Sequence, residues 1–193
     1  GEGHVSVDGS TMALPDPFIV LATQNPQDME GTFPLPEAQR DRFMTRLSLG
    51  YPDATAEIAM LRARGGRDPL DEIRPATDVT RVVRARAQVA AVHLSDEVAA
   101  YLVSLSEATR AHPDVEIGAS PRATLHLAAM ARARAAVAGR SFVSPDDIAA
   151  LADLVLPHRL VLRGHHASAS DALTGARTVV SDALRRLPVP GLG

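Results

Sequence analysis

The sequence predicts an α/β segment followed by an all-α segment: a hairpin and short buried strands, then a small helical bundle. Two observations carry this. Residues 18–22 (FIVLA) form a continuous apolar run bounded by Pro17 and by polar residues, which reads as a strand covered on both faces, as in a parallel sheet. From Asp53 onward, apolar residues recur at helical spacing behind Asp and Ser caps, the pattern of helices that bury one stripe.

The elements follow in chain order. Residues 5–7 alternate, Asp8-Gly9 is a turn signal, and residues 11–14 return antiparallel, which makes a hairpin that Pro15 and Pro17 end. Residues 18–22 are the first buried strand and residues 46–49 another of the same sheet. A hairpin and two strands do not complete a doubly wound sheet, so the remaining strands are expected from sequence outside this chain. Two prolines, Pro34 and Pro36, precede a short helix over 37–42. Asp53 caps a helix carrying Ile58 and Leu61; Arg64-Gly65-Gly66 ends it and Asp68-Pro69 opens a linker. A helix is expected over 79–92. Ser95 starts another, with Val98, Tyr101, Leu102 and Leu105 on one stripe. Ser120-Pro121 and Ser144-Pro145 are further starts, with Ser as cap and Pro in the first turn. Ile148, Leu151, Ala152 and Val155 repeat the stripe, as do Leu173, Ala176, Val180, Leu184 and Leu187 before Pro188.

Composition excludes several classes of function. The chain has 193 residues, a formal net charge of -3 and 46% hydrophobic residues, enough to bury a core. Slight acidity argues against a dedicated nucleic-acid binder. No apolar run approaches the roughly 20 residues of a membrane span, and no secretory signal opens the chain; a cytoplasmic address without membrane insertion is expected. There is no cysteine for disulfides or thiolate metal sites. All 20 Lys and Arg positions are Arg, so an ordinary phosphate-binding loop, which sets a lysine on the phosphates, is absent.

Some residues carry candidate chemistry. Thr23-Gln24-Asn25 directly follows the strand run, where ligands of open α/β sheets bind. A carboxamide there can orient water or sense a phosphate oxygen; Asn25 before Pro26 is also an ordinary turn residue, the commoner case. Arg40, Arg42 and Arg46 gather cations around the short helix, and arginine suits a transferring phosphoryl group; a solvated helix with local pairs is the alternative. Arg122 is a cation in the first turn of a helix, the unfavourable sign for the helix dipole. Ser144-Pro145 is instead followed by Asp146 and Asp147, the favourable sign. An arginine so placed implies an anion nearby, or else bends outward at little cost. His165-His166 has no third ligand at helical spacing, so no metal site is expected.

Taken in order, these segments resemble the MoxR family of AAA+ ATPases. The motifs are FIVLATQNP (18–26), EGTFPLPEAQRDRF (30–43), LSLGYP (47–52), GASPRA (118–123) and HRLVL (158–162). The resemblance implies that residues 1–66 form the C-terminal part of an AAA+ core and residues 67–193 its helical lid. It implies that Asn25 is the sensor 1 residue, Arg42 the arginine finger and Arg122 the sensor 2 residue. Arg40 stands where the family has an apolar residue, which leaves Arg40 and Arg42 as alternatives for the finger. The phosphate-binding lysine and the acidic metal-binding strand lie upstream in the family. The expectation is therefore an ATP- and Mg2+-dependent, chaperone-like remodelling ATPase in the intact protein, acting as a homo-oligomeric ring (a hexamer) with a partner bearing a metal-dependent adhesion domain. This chain alone is expected to be inactive and to hold no cofactor. A non-catalytic helical interaction module and a magnesium-chelatase-like subunit are the alternatives.

Overall fold

A computed structural model describes residues 3–7, 9–24, 35–63 and 69–191. Asn25, like the rest of 25–34 and the expected Arg64-Gly65-Gly66 helix end, lies outside the described residues. The hairpin pairs β1 (His4–Val7) with β2 (Ser10–Ala13) antiparallel, from His4 opposite Ala13 to Val7 opposite Ser10. Gly9 in its turn has φ +78°, the left-handed region that glycine enters at little cost. The short helix α1 spans Glu37–Arg40; residues 41 and 42 leave it as a turn in which Arg42 N–H donates to Gln39 O and Phe43 N–H to Arg40 O. α2 is Ala54–Ala63, started by Asp53, whose carboxylate accepts Ala56 N–H at 2.8 Å.

Neither expected buried strand is present. Residues 18–24 and 45–50 form neither a paired strand nor a helix, and Ile19, Leu21 and Leu49 face solvent, Leu21 at 85% exposure. The physical reason is missing neighbours. A strand apolar on both faces is stable only with a bonded strand on each side and a covering layer, and the described residues supply neither.

The helical part folds as its stripes require. α3 (Val79–Ala90) is capped by Asp78 and ends two residues before the expected Val92. α4 (Asp96–Ala111), α5 (Pro121–Val137) and α6 (Pro145–Val155) begin at the anticipated Ser95, Ser120 and Ser144. A single 3₁₀ turn, Pro157–Arg159, follows α6, and α7 (Ala169–Arg186) closes the bundle. Val98, Tyr101, Leu102, Leu105, Ile148, Leu151, Ala152 and Val155 are all buried. In α7 the buried face is Ala176, Val179, Val180 and Ala183, while Leu173, Leu184 and Leu187 are only half-buried at its edge. A second two-stranded sheet, not anticipated, pairs β3 (Val115–Ile117) with β4 (Val161–Leu162) antiparallel and ties the α4–α5 connection to the segment after the 3₁₀ turn. Among the described residues no helix is long and apolar enough to cross a membrane.

Candidate functional site

The site is built on the N-terminus of α5. Thr109 Oγ1, fully buried on α4, accepts Ala119 N–H at 3.0 Å, and Arg110 Nε donates to Ala119 O at 2.7 Å. Gly118 permits this approach: a Cβ there would lie 2.6 Å from the Arg110 Cα, nearer than any side chain tolerates. The chain then enters α5 at Ser120, whose Oγ accepts Ala123 N–H at 3.2 Å. Pro121 occupies the first turn, and Arg122 projects from it half-exposed.

The anion that the sign of Arg122 implied is Asp41, in the turn after α1. Asp41 Oδ2 faces Arg122 Nη1 at 3.4 Å, and Oδ1 accepts from Ser120 Oγ at 2.8 Å. Arg159 from the 3₁₀ turn supplies the strongest grip, with a side chain only 1% exposed. Its Nη1 donates to Asp41 O at 2.8 Å and Oδ1 at 3.0 Å. Its Nη2 donates to Phe43 O at 2.5 Å, Met44 O at 3.3 Å and His126 Nδ1 at 2.6 Å, and its Nε to Val155 O at 2.8 Å. Burial lowers the Arg159 pKa and the Asp41 carboxylate opposes that fall; a guanidinium stays charged throughout.

Two neutral histidines complete the arrangement. His126 Nδ1 accepts from Arg159, so its proton sits on Nε2; burial and then the Arg159 charge lower its pKa. His158 is the same tautomer: Nε2–H donates to Phe43 O at 3.1 Å, while Nδ1 is buried with no described partner. Burial drives the His158 pKa down to about 4, against the hydrogen bond to Phe43, with Arg159, Arg46 and Arg40 adding to the fall. Protonation would create a buried N–H with nothing to accept it.

The two finger alternatives are placed differently. Arg42 is exposed, and its guanidinium makes no hydrogen bond or ion pair with a described residue. Arg40 is half-buried, with a shielded Nε that lacks a described partner. Burial, and then the charges of Arg177 and Arg40, lower the Arg46 pKa; its backbone N–H donates to Leu154 O at 3.0 Å. The structure thus brings Arg122 and the Arg42 turn together through Asp41.

Comparison with known proteins decides the family. The AAA lid domain matches residues 107–183, and the ATPase family associated with various cellular activities (AAA) matches residues 1–45. Chaperone MoxR1 of Mycobacterium tuberculosis is 40% identical over 171 residues, covering 83% of this chain and 45% of that protein. The chain belongs to the MoxR family of AAA+ ATPases. The uncharacterised protein YeaC of Bacillus subtilis is 40% identical over 189 residues, 98% of this chain and 58% of its own length. The crystal structure of a putative ATPase from Cytophaga hutchinsonii superposes with a TM-score of 0.82 at 30% identity, covering 98% of this chain and 59% of that one. The chain spans about half the length of the curated MoxR relatives it matches.

Within this MoxR chain, sequence reasoning from residue chemistry passed over Asp41, His126, His158 and Arg159. One signal was available: His158-Arg159 stands between apolar residues, Leu154 to Leu156 on one side and Leu160 to Leu162 on the other. A polar pair inside such a stretch is either an error of patterning or a buried clamp.

Proposed function

We propose that this chain is the nucleotide-responsive part of an ATP-hydrolysing, ring-forming MoxR remodelling ATPase. Residues 1–66 end its core and residues 67–193 form its lid. Arg42 serves as the arginine finger across a subunit boundary, Arg122 couples the lid to the γ-phosphate as sensor 2, and Asn25 positions water as sensor 1. The observation that carries this reading is the pairing of an exposed Arg42, whose guanidinium no described residue engages, with a turn whose carbonyls are bonded into the lid. A guanidinium that no described residue of its own subunit holds is available to a neighbour. Half-buried Arg40 is not, which favours Arg42 as the finger.

Arg122 supports the same view. Its pair with Asp41 is long and half-exposed, the class of ion pair worth about 0–1 kcal/mol, so a phosphate can take its place. The described residues contain no group of three or more His, Asp or Glu that could hold a metal, and no step is assigned to Mg2+ on this chain. Arg42 and Arg122 are the groups through which it would meet the phosphates. A homo-oligomeric hexamer, a cytoplasmic address and a partner with a metal-dependent adhesion domain enter this proposal through the family alone.

Subunit mixing tests it. A full-length Arg42→Ala subunit with an intact phosphate loop is combined with one that keeps Arg42 but cannot bind nucleotide. Each alone is expected to be nearly inactive, since a finger contributes about 10³–10⁵ in rate, and mixed rings are expected to regain turnover. ATP affinity is expected to survive, because the finger acts on the transition state. The 193-residue chain by itself, having no lysine, is expected to be inert. Normal turnover by Arg42→Ala with loss in Arg40→Ala would reassign the finger; no loss in either removes the trans mechanism.

A further inference from the structure

We propose that Asp41 is the positioning residue for Arg42, fastening the finger-bearing turn to the lid so that lid position sets where the finger lies. This deepens the reading of Arg42 as a trans finger and rests on it.

The argument starts from which groups hold the turn. Asp41 O, Phe43 O and Met44 O all accept from Arg159, Phe43 O also accepts from His158, and Arg46 N–H donates to Leu154 O. Every one of these partners belongs to the lid, at α6 or the 3₁₀ turn. Residues 41–46 therefore move with the lid. Backbone carbonyls alone leave a turn free to pivot; the Asp41 side chain removes that freedom. Its Oδ1 is tied at 2.8 Å to Ser120 and at 3.0 Å to Arg159, two points on different elements. With its carbonyl and carboxylate both fixed, the peptide leading into Arg42 has a single orientation.

The two carboxylate oxygens differ in a way that suits this role. Oδ1 faces the buried Arg159, whereas Oδ2 meets, among the described residues, the half-exposed Arg122 at 3.4 Å. A phosphate can draw Arg122 from Oδ2 without loosening Oδ1. Asp41 itself need not touch nucleotide. Its effect is on where a guanidinium one residue away ends, and a displacement of about 1 Å at a catalytic group can cost on the order of 100-fold in rate.

The experiment uses the full-length protein. Asp41→Asn is expected to lower kcat by about 10–100-fold with little change in KM for ATP, as for Arg42→Ala. Mixed with a subunit that keeps Asp41 but has a disabled phosphate loop, it is expected to regain turnover, because its own site remains competent. A merely structural role would not be rescued in this way. Asp41→Glu keeps the charge that Arg159 needs and therefore the fold, but moves the carboxylate by one methylene; it is expected to show the same kcat loss with an unchanged Tm. Arg42→Ala run in parallel separates the two ideas. If it retains normal turnover, the finger reading fails. If it is inactive while Asp41→Asn and Asp41→Glu both turn over normally, or while folded Asp41→Asn is not rescued by mixing, the positioning role alone is overturned.

Discussion

Acidification is expected to unfasten the 41–44 turn through His158. The ring is buried, donates Nε2–H to Phe43 O, and has no described acceptor for a second proton at Nδ1. Its pKa falls from the ordinary 6.5 to about 4. Because the folded value lies below the unfolded one, the unfolded chain takes up the proton first. Stability is full above about pH 6.5 and is lost as pH falls toward 4. At 1.36 kcal/mol per pKa unit the depression amounts to about 3 kcal/mol, a large share of the stability of an ordinary domain. His158→Gln isolates the effect, since the Gln side-chain amide can still donate to Phe43 O but does not titrate. Urea unfolding of the wild type and the variant from pH 7 to 4.5 should give a stability difference that shrinks on acidification and changes sign if the variant loses only about 1 kcal/mol at neutral pH. Asp147 stays ionised in the folded state across that range, and His126 titrates in both proteins, so the difference reports His158. An NMR titration placing the His158 ring near 6.5, or parallel pH curves for the two proteins, would refute the reasoning.

Two further substitutions probe the frame around the site. Gly118→Ala sets a Cβ against the Arg110 backbone at 2.6 Å; the strain is expected to cost about 1–3 kcal/mol, read as a lower urea midpoint, and to displace Ser120 and Arg122. Asp147, 2% exposed, is held down to about 2: burial opposes ionisation, but bonds from Arg140 at 2.6 and 2.7 Å and from Ser144 N–H and Oγ outweigh it. Its stabilisation of about 2 kcal/mol is present above pH 3.8 and lost as pH falls through 2, so thermal unfolding of Asp147→Asn should show a lower Tm at pH 7 that converges on the wild type below pH 2.

How much of this was legible depended on whether a pattern is local. Ser95, Ser120 and Ser144 start helices through contacts within four residues, and the stripes of α4 and α6 repeat every turn, so both could be read directly. The strand at residues 18–22 could not, because its stability belongs to neighbours in space rather than to its own apolar residues; composition marked it for burial, and the described residues leave it bare. Arg122 lay between. Its unfavourable sign at a helix N-terminus implied an anion, but not that Asp41, 81 residues earlier, would be that anion. The apolar flanks of Arg159 could mark it as buried but could not name its partners in the 41–44 turn, which lie 115 to 118 residues away, and periodicity does not reach that far. The β3–β4 pairing escaped notice because two- and three-residue strands offer too few alternations to recognise.

The Arg159 clamp also dictates an order of assembly. Closing a loop of about 115 residues carries an entropic penalty that grows with the logarithm of its length, whereas α4 on α5, α5 on α6 and α6 on α7 each pack between helices adjacent in sequence. The acceptors of Arg159 at Val155 and His126 come into place as those helices meet, so a half-satisfied guanidinium waits at the bundle surface until residues 41–44 arrive. Docking of the 41–44 turn is then expected to be the last event of folding and the first of unfolding, its loss preceding the melting of the helices that hold it.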